Sequence, residues 1–272
     1  INLALHVTGR RGDGYHLLDS IVAFADCGDR ITVSRAAEIS LNISGPFAQA
    51  LADTGDNIVL RALSLFDPDI RVQINLEKNL PVASGIGGGS ADAAAVLRAV
   101  ARLCDVPLPA DDQVLRLGAD VPVCLMQQPV RMQGIGDVLT PLDLPELRAV
   151  LVNPGLGVAT GPVFEALESP DNPAIDMATC NLTDARATIA WLKSLRNDLQ
   201  PDAIAQAPVI GDVLAVLREA GADLARMSGS GATCFGLFGD SAAATRAADS
   251  LKKKHPRWWV CTTVLQAARD IT

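Results

Sequence analysis

The sequence lacks three features that would each point to a class of protein. It has no excess of positive charge, since 23 Lys and Arg against 31 Asp and Glu give a formal net charge of −8, which argues against nucleic-acid binding and against an anionic membrane surface. It has no signal-peptide pattern and no apolar run of about 18 residues. Its six cysteines form no Cys-x-x-Cys pair. We therefore expect a soluble cytoplasmic protein with free thiols and no structural zinc site.

The chain also lacks internal repeats, low-complexity tracts and the regular spacing of βαβ units. Apolar residues make up 49% of the 272 positions and charged residues 20%, a composition typical of globular proteins with an ample core. Strand patterns interspersed with helical patterns indicate the α+β class. At this length we predict two domains, 1–146 and 147–272, the second opening on a buried strand near Arg148.

The glycine-rich stretch Pro81–Ala91 organises the chain. The alternating pattern of Ile70–Leu76 predicts a strand before it, and Ser90–Leu103 is predicted to be a helix with Ser90 as N-cap and Asp92 in its first turn. The residues predicted to form one apolar face of this helix are Ala93, Val96, Leu97, Val100 and Cys104.

Glycines at a helix N-terminus let backbone N–H groups approach an anion, most often a phosphate. No lysine follows the glycines, so the stretch is not a P-loop, and Ser90 occupies the place of the third glycine in the dinucleotide fingerprint. A plain glycine turn into a helix is the structural alternative.

Three other segments carry candidate chemistry. Gly9–His16 is either a solvated hairpin, because Asp13-Gly14 favours a turn, or a substrate loop. Asp120 lies in the apolar segment Leu115–Cys124, where an unpaired carboxylate is costly, so it is a structural cap or a functional residue. A second glycine loop in Arg226–Phe238 leads into a predicted strand.

Taken together, these segments resemble the GHMP kinases. Pro81–Ala91 is similar to their Pro-x3-Gly-Leu-Gly-Gly-Gly-Ser-Ser loop, with Ile86 for leucine and Ala91 for the second serine. The segment around Asp120 and the loop at 228–231 match the other two motifs. The resemblance implies the two-domain GHMP-kinase fold, with an N-terminal ribosomal-protein-S5-like ATP domain and a C-terminal ferredoxin-like domain. It also implies ATP as co-substrate and Mg²⁺.

The resemblance further assigns roles to residues. It implies that Asp120 is catalytic and that Ser90 is a weak candidate for a metal ligand. The segment Asp13–His16 resembles that of GHMP members acting on a cytidine-diphosphate-linked alcohol, and therefore implies a small-molecule cytidyl-diphosphate substrate. The implied ATP-binding residues are Pro81, Val82, Ala83, Ser84, Gly85, Ile86, Gly87, Gly88, Gly89, Ser90, Ala91, Asn57 and Lys78. The implied substrate-binding residues are Asn2, Tyr15, His16, Thr160 and Phe164, and the third-motif loop is Ser228, Gly229, Ser230 and Gly231.

Structural alternatives stand beside several of these roles. Asn57, or Asp56 before it, caps a predicted helix; Lys78 is a surface charge; and Phe164 belongs to a helix core. The resemblance implies a catalytic lysine immediately before the position of Ile1, so either the native chain begins earlier or this lysine is absent, in which case activity should fall severely. Another GHMP kinase of the homoserine or mevalonate type, or a non-catalytic nucleotide-binding protein on the same fold, is the alternative function.

Overall fold

The computed structural model describes residues 1–51 and 57–266, and these form two compact units. The larger unit comprises Ile1–Cys27, Ala83–Ile86 and Gln127–Thr272, and the smaller unit comprises Gly28–Val82 and Gly87–Met126. The smaller unit thus consists of two segments inserted in the sequence of the larger one and separated by Ala83–Ile86. The domain boundary at 146/147 stays a prediction.

The elements of the described residues follow the α+β pattern. The strands are, in chain order, β1 (Asn2–Arg10), β2 (His16–Val22), β3 (Phe24–Ala25), β4 (Arg30–Arg35), β5 (Ser40–Ser44), β6 (Val72–Glu77), β7 (Val130–Gly134), β8 (Val138–Pro141), β9 (Leu147–Asn153), β10 (Leu224–Met227), β11 (Cys234–Phe238) and β12 (Trp259–Gln266). The α-helices are α1 (Ile58–Leu63), α2 (Gly88–Cys104), α3 (Asp111–Leu117), α4 (Val121–Met126), α5 (Thr160–Glu165), α6 (Ala185–Lys193), α7 (Gln200–Gln206), α8 (Val209–Glu219) and α9 (Ser241–Lys254).

The larger unit contains two sheets. The first has the order β1-β2-β7-β8 and is antiparallel throughout. The segment Gly9–His16 joins β1 to β2 as a hairpin. The Gly-x-Gly-acid segment Gln133–Asp137, whose sequence also predicts a hairpin, joins β7 to β8. The β1–β2 turn is closed by the hydrogen bond from the Arg11 amide to the Tyr15 carbonyl, 2.7 Å. This hairpin therefore carries Tyr15 and His16 at one end of the sheet.

The second sheet of the larger unit has the ferredoxin-like order that the resemblance implies. Its strands run antiparallel in the order β10-β11-β9-β12, with β3 added beyond β12. Helices α8 and α9 pack against it. The spacing of Ile210, Val213, Leu214 and Leu217 predicts a helix with one apolar face. These four residues lie on α8 and are fully buried.

The smaller unit holds a three-stranded sheet, in the order β4-β6-β5, and helices α1 to α4. Val72, Ile74 and Leu76 of β6 are buried, in agreement with the predicted alternation. The sequence of Ile39–Ile43 also predicts a strand of an antiparallel sheet; the strand is present as β5, but the predicted direction was wrong, because β5 pairs with β6 in parallel. Alternation identifies a strand and its buried face, but not the direction of its neighbour.

Helix α2 begins earlier than predicted. Gly87, with φ 69°, is the N-cap, so Ser90 is the third residue of the helix, and Asp92 lies beyond the first turn. The predicted apolar face is buried at Ala93, Val96, Leu97 and Val100, whereas Cys104 is half-buried. Asp92 is buried as well, and its partner is described below.

All six cysteines are free thiols, as predicted, but only Cys124 and Cys234 are fully buried. Within the described ranges, no helix combines the length and apolar character needed to cross a membrane.

Candidate active site

In the smaller unit, the N-terminus of α2 presents a set of backbone donors. The first intrahelical hydrogen bond runs from the Ala91 amide to the Gly87 carbonyl, 2.8 Å, so the amides of Gly88, Gly89 and Ser90 have no carbonyl one turn earlier. The helix dipole adds partial positive charge at the same place. The arrangement suits an anion such as a phosphate group.

Lys78 is buried directly beneath this helix end. Its ammonium group forms salt bridges with Asp29 and, at 2.9 Å, with Asp92 of α2, and only 4% of its side chain is exposed. The expectation that Lys78 is a surface charge was therefore wrong. Burial raises the pKa of Asp92 to about 7, and the charge of Lys78 opposes this rise.

Asp120 occupies the N-cap position of α4, since its carbonyl oxygen accepts the Cys124 amide at 3.2 Å. Its side chain makes no capping hydrogen bond and no salt bridge with the described residues of its own unit. A Cβ on Gly118, two residues earlier, would lie 3.8 Å from Ser90 Oγ. The smaller unit thus brings the segment of Asp120 beside the first turn of α2, as the matched motifs imply.

Asp120 is exposed to solvent, although protein atoms surround its carboxyl group densely enough to affect its ionisation. Desolvation is the largest cause and raises the pKa of Asp120. Because Asp120 is exposed, a ligand can reach its carboxylate. Because its pKa is raised, Asp120 is also easier to protonate than an ordinary aspartate. Cys124 nearby is buried, and burial, assisted by the Asp120 charge, raises its thiol pKa to about 12.

In the larger unit, part of the first glycine stretch lies against the third-motif loop. Ser228 Oγ donates to the Gly85 carbonyl at 3.1 Å and accepts the Asn2 amide at 3.1 Å. The Thr233 amide donates to the Ser84 carbonyl at 3.1 Å. Gly85 adopts φ 73°, and any Cβ on it would overlap the Gly231 carbonyl. Residues far apart in sequence are therefore fixed together by their backbones.

Asn197 completes this arrangement, and sequence reasoning missed its role. Its side-chain amide donates to the carbonyls of Met227 and Gly229, each at 2.8 Å. Asn197 is buried, so these bonds are shielded from water and hold the third-motif loop in place. The sequence Asn197-Asp198-Leu199 resembles the Asn-Asp-Leu turn of the GHMP kinases, but nothing in it indicated the partner loop.

The predicted substrate residues also lie in the larger unit. The rings of His16 and Phe164 stack with centroids 4.9 Å apart and an interplanar angle of 28°. Tyr15 beside them is 63% exposed. Thr160, one helical turn before Phe164, shares a 2.9 Å hydrogen bond with Ser230. Phe164 is partly buried and also touches the core, so its two predicted roles are compatible.

Two further predicted residues have local structural roles. Asn57 Oδ1 accepts the Val59 amide at 2.9 Å and caps α1, whereas Asp56, the other predicted cap, lies outside the described residues. Asn2 Nδ2 donates to Ser20 Oγ at 2.9 Å.

The pKa of His16 is lowered because burial raises the free energy of charging its ring, and the positive charge of Arg10 adds to the effect.

The remaining residues of the first glycine stretch differ in exposure. Pro81 and Ser84 are buried, Val82 and Ala83 are exposed, and Ile86 is half-buried.

The donor set fits Mg²⁺ only in a limited sense. Within the described ranges, no cluster of three His, Cys, Asp or Glu side chains could hold a metal ion. Mg²⁺ in phosphoryl-transfer sites keeps several waters and binds through substrate phosphates and one or two protein oxygens. Ser90 Oγ, at the end of α2 that suits a phosphate, is an oxygen donor of that kind.

Comparison with known proteins matches two segments of this chain to one protein family. Residues 57–139 match the family described as GHMP kinases N terminal domain, and residues 181–257 match GHMP kinases C terminal. The chain therefore belongs to the GHMP kinases, which are ATP-dependent phosphotransferases.

Within that family, the chain is 54% identical to the 4-diphosphocytidyl-2-C-methyl-D-erythritol kinase of Paracoccus denitrificans, over 99% of this chain and 95% of the relative. It is 33% identical to a crystal structure of 4-(cytidine 5'-diphospho)-2C-methyl-D-erythritol kinase, with a TM-score of 0.79 and coverage of 98% and 96%. A homoserine kinase from Cytophaga hutchinsonii, 20% identical with a TM-score of 0.65 and coverage of 93% and 90%, shares the fold.

Proposed function

We propose that the protein transfers the γ-phosphoryl group of ATP to the 2-hydroxyl of 4-diphosphocytidyl-2-C-methyl-D-erythritol, a step of the non-mevalonate (MEP) isoprenoid pathway. The observation that carries the proposal is the identity, over nearly the full length, with kinases named for this substrate. The exposed Tyr15 and the His16–Phe164 pair support it, because aromatic rings suit the face of a cytosine.

The chemistry follows from the geometry of each unit. In the reaction, the 2-hydroxyl oxygen bonds to the γ-phosphorus, the bond from that phosphorus to the β–γ bridging oxygen breaks, and ADP leaves. Such transfer depends chiefly on positioning and on stabilising charge. The amides of Gly88, Gly89 and Ser90 would hold the phosphates, and Mg²⁺, when bound, would neutralise part of their charge. The Ser90 hydroxyl would contribute one ligand oxygen.

Asp120 would take the proton of the attacking hydroxyl or orient that hydroxyl. Its accessible carboxylate has no competing partner in its own unit, and its raised pKa brings it closer to the working pH, which suits a general base. His16, kept neutral by its lowered pKa, would bond the polar edge of the cytosine. Asn2 and Thr160 would hold the erythritol part. A cytoplasmic location, and the absence of nucleic-acid or membrane partners, stay predictions.

The test is a coupled ADP-release assay with Mg-ATP, comparing the cytidyl substrate with homoserine and mevalonate. We expect turnover with the cytidyl substrate to exceed the ATP-only background, and Asp120→Asn to lower kcat by about 10²–10⁴-fold without loss of ATP binding. Asp112→Asn is the control, because this carboxylate is 68% exposed and forms a salt bridge with Arg116 on its own helix.

Two outcomes would contradict the proposal. A preference for homoserine or mevalonate would assign the chain to another GHMP activity. Turnover by the Asp120→Asn enzyme that matched the control would remove Asp120 from the chemistry.

A further inference from the structure

The Asp29 carboxylate contacts three consecutive residues that lead into the glycine stretch. Its Oδ1 accepts the amides of Asn79, at 2.6 Å, and Leu80, at 2.8 Å. Its Oδ2 bonds the Lys78 ammonium group. Only 2% of its side chain is exposed, so these bonds are shielded from water and hard to replace. One carboxylate thus fixes three consecutive residues that lead into Pro81.

The same cluster reaches α2. Lys78 bridges Asp29 to Asp92 of that helix. A Cβ placed on Gly88 would lie 3.5 Å from Lys78 Nζ and 3.7 Å from Asp29 Oδ2. Lys78 and Asp29 therefore lie against the first residue of α2, Gly88, whose amide is one of the donors at the helix end that suits a phosphate.

The charges explain why this contact matters for position. The Lys78 ammonium offsets the two carboxylates, and burial, which raises the pKa of Asp92 to about 7, reduces the negative charge that remains. The sign of that remaining charge favours the positive end of the helix dipole. The ammonium group satisfies both carboxylates, and the loss of one member leaves another charge buried without its partner. Such a cluster has one well-defined arrangement, so the helix end that rests on it also has one.

We propose that Asp29 is a positioning residue for nucleotide binding: acting through Lys78 and Asp92, it sets the N-terminus of α2 where the phosphates of ATP bind. This rests on the proposed function only in taking ATP as the phosphoryl donor. In this role Lys78 supports the loop from below, and its ammonium group is already committed to two carboxylates.

The test separates nucleotide binding from folding. Asp29→Asn keeps the shape of the side chain and removes its charge. We expect the KM for ATP to rise about tenfold, which corresponds to the loss of one charge-assisted hydrogen-bond network. We expect kcat and the KM for the cytidyl substrate to change less than about threefold. The Kd of a non-hydrolysable ATP analogue, measured by calorimetry without any second substrate, should rise in parallel.

A double-mutant cycle tests the route through Lys78. If Asp29 acts through that residue, Asp29→Asn combined with Lys78→Met should raise the KM for ATP little more than either change alone. Independent, multiplying effects would overturn the route.

Asp19→Asn is the matched control. Asp19 is also a buried carboxylate, ion-paired with Arg131 and bonded to the Ile175 amide at 2.9 Å, but it lies in the larger unit. We expect both variants to lower Tm, and only Asp29→Asn to change the KM for ATP. Equal losses of Tm with an unchanged analogue Kd would make Asp29 structural only and overturn the proposal.

If Asp29→Asn does not fold, Asp92→Asn carries the test, because it leaves the Asn79 and Leu80 bonds intact. An unchanged analogue Kd in that variant would also overturn the proposal. A wild-type protein that binds the analogue but does not turn over the cytidyl substrate would refute the proposed function alone.

Discussion

Gly85 and Gly87 offer a matched pair of perturbations within one loop. Both adopt left-handed backbone conformations, with φ 73° and 69°. Their surroundings differ completely. A Cβ on Gly85 would overlap the Gly231 carbonyl oxygen and lie 2.8 Å from the Gly231 carbonyl carbon, whereas a Cβ on Gly87 would meet nothing within 4 Å. Alanine therefore imposes the same backbone strain at both positions, but it adds a steric clash only at Gly85.

The expected magnitudes follow from these two terms. The left-handed conformation costs an alanine about 1–2 kcal/mol, and this is the whole effect expected for Gly87→Ala. Gly85→Ala adds the cost of forcing two backbones apart, about 1–3 kcal/mol by comparison with overpacked cores. The total for Gly85→Ala is thus about 2–5 kcal/mol. The displaced Gly85 carbonyl would also lose the 3.1 Å hydrogen bond from Ser228.

Urea denaturation measures both changes through the midpoint and the slope of the unfolding transition. We expect Gly85→Ala to lower the free energy of unfolding by clearly more than Gly87→Ala, and to impair turnover more severely. A difference below about 0.5 kcal/mol, the usual scatter of independent mutations, would mean that the two glycine loops are not in close contact, and would refute the reasoning.

Two further predictions concern titratable groups. Burial, with a smaller contribution from Arg196, lowers the pKa of His6 in the folded protein below 6.5. Neutral His6 therefore contributes its full stabilisation above pH 6.5, and this contribution is lost as the pH falls through the folded pKa. His6→Gln should flatten the fall of Tm between about pH 6.5 and 5, and an unchanged slope would contradict this. The thiol of Cys27 hydrogen-bonds Cys261 and lowers the pKa of Cys261. Iodoacetamide should therefore label Cys261 before Cys27. Cys27→Ala should slow the labelling of Cys261, measured by peptide mass spectrometry. Equal labelling of the two wild-type thiols would argue against the interaction.

Local sequence patterns predicted helices and strands well where the periodicity of apolar residues decides the conformation. The apolar faces of α2 and α8 and the alternation of β6 were correct, because burial follows helical and strand periodicity. Ser90 was wrongly predicted as the N-cap, since Ser is a stronger capping residue than Gly. The left-handed turn ends at Gly87, and the next two glycines then enter the helix.

Long-range pairings were beyond such patterns. Lys78 was expected to be a surface charge or an ATP contact, because its neighbours in sequence show no partner. Its partner Asp29 lies 49 positions earlier. The stacking of His16 on Phe164 and the bonds from Asn197 to the third-motif loop also join distant segments. The resemblance indicated which loops matter, and the fold was needed to show what holds each in place.

The interleaving of the two units limits how this protein can exchange parts with its relatives. The segment 28–126 would be the natural piece to recombine, yet its residues Ala83–Ile86 belong to the larger unit. Within that unit, Gly85 and Ser84 are bonded to Ser228 and Thr233. A chimaera built by two crossovers would therefore import four foreign residues against the recipient's own third-motif loop. Residues 28–126 can therefore be exchanged as one segment only between chains whose first glycine stretch and third-motif loop have matching sequences.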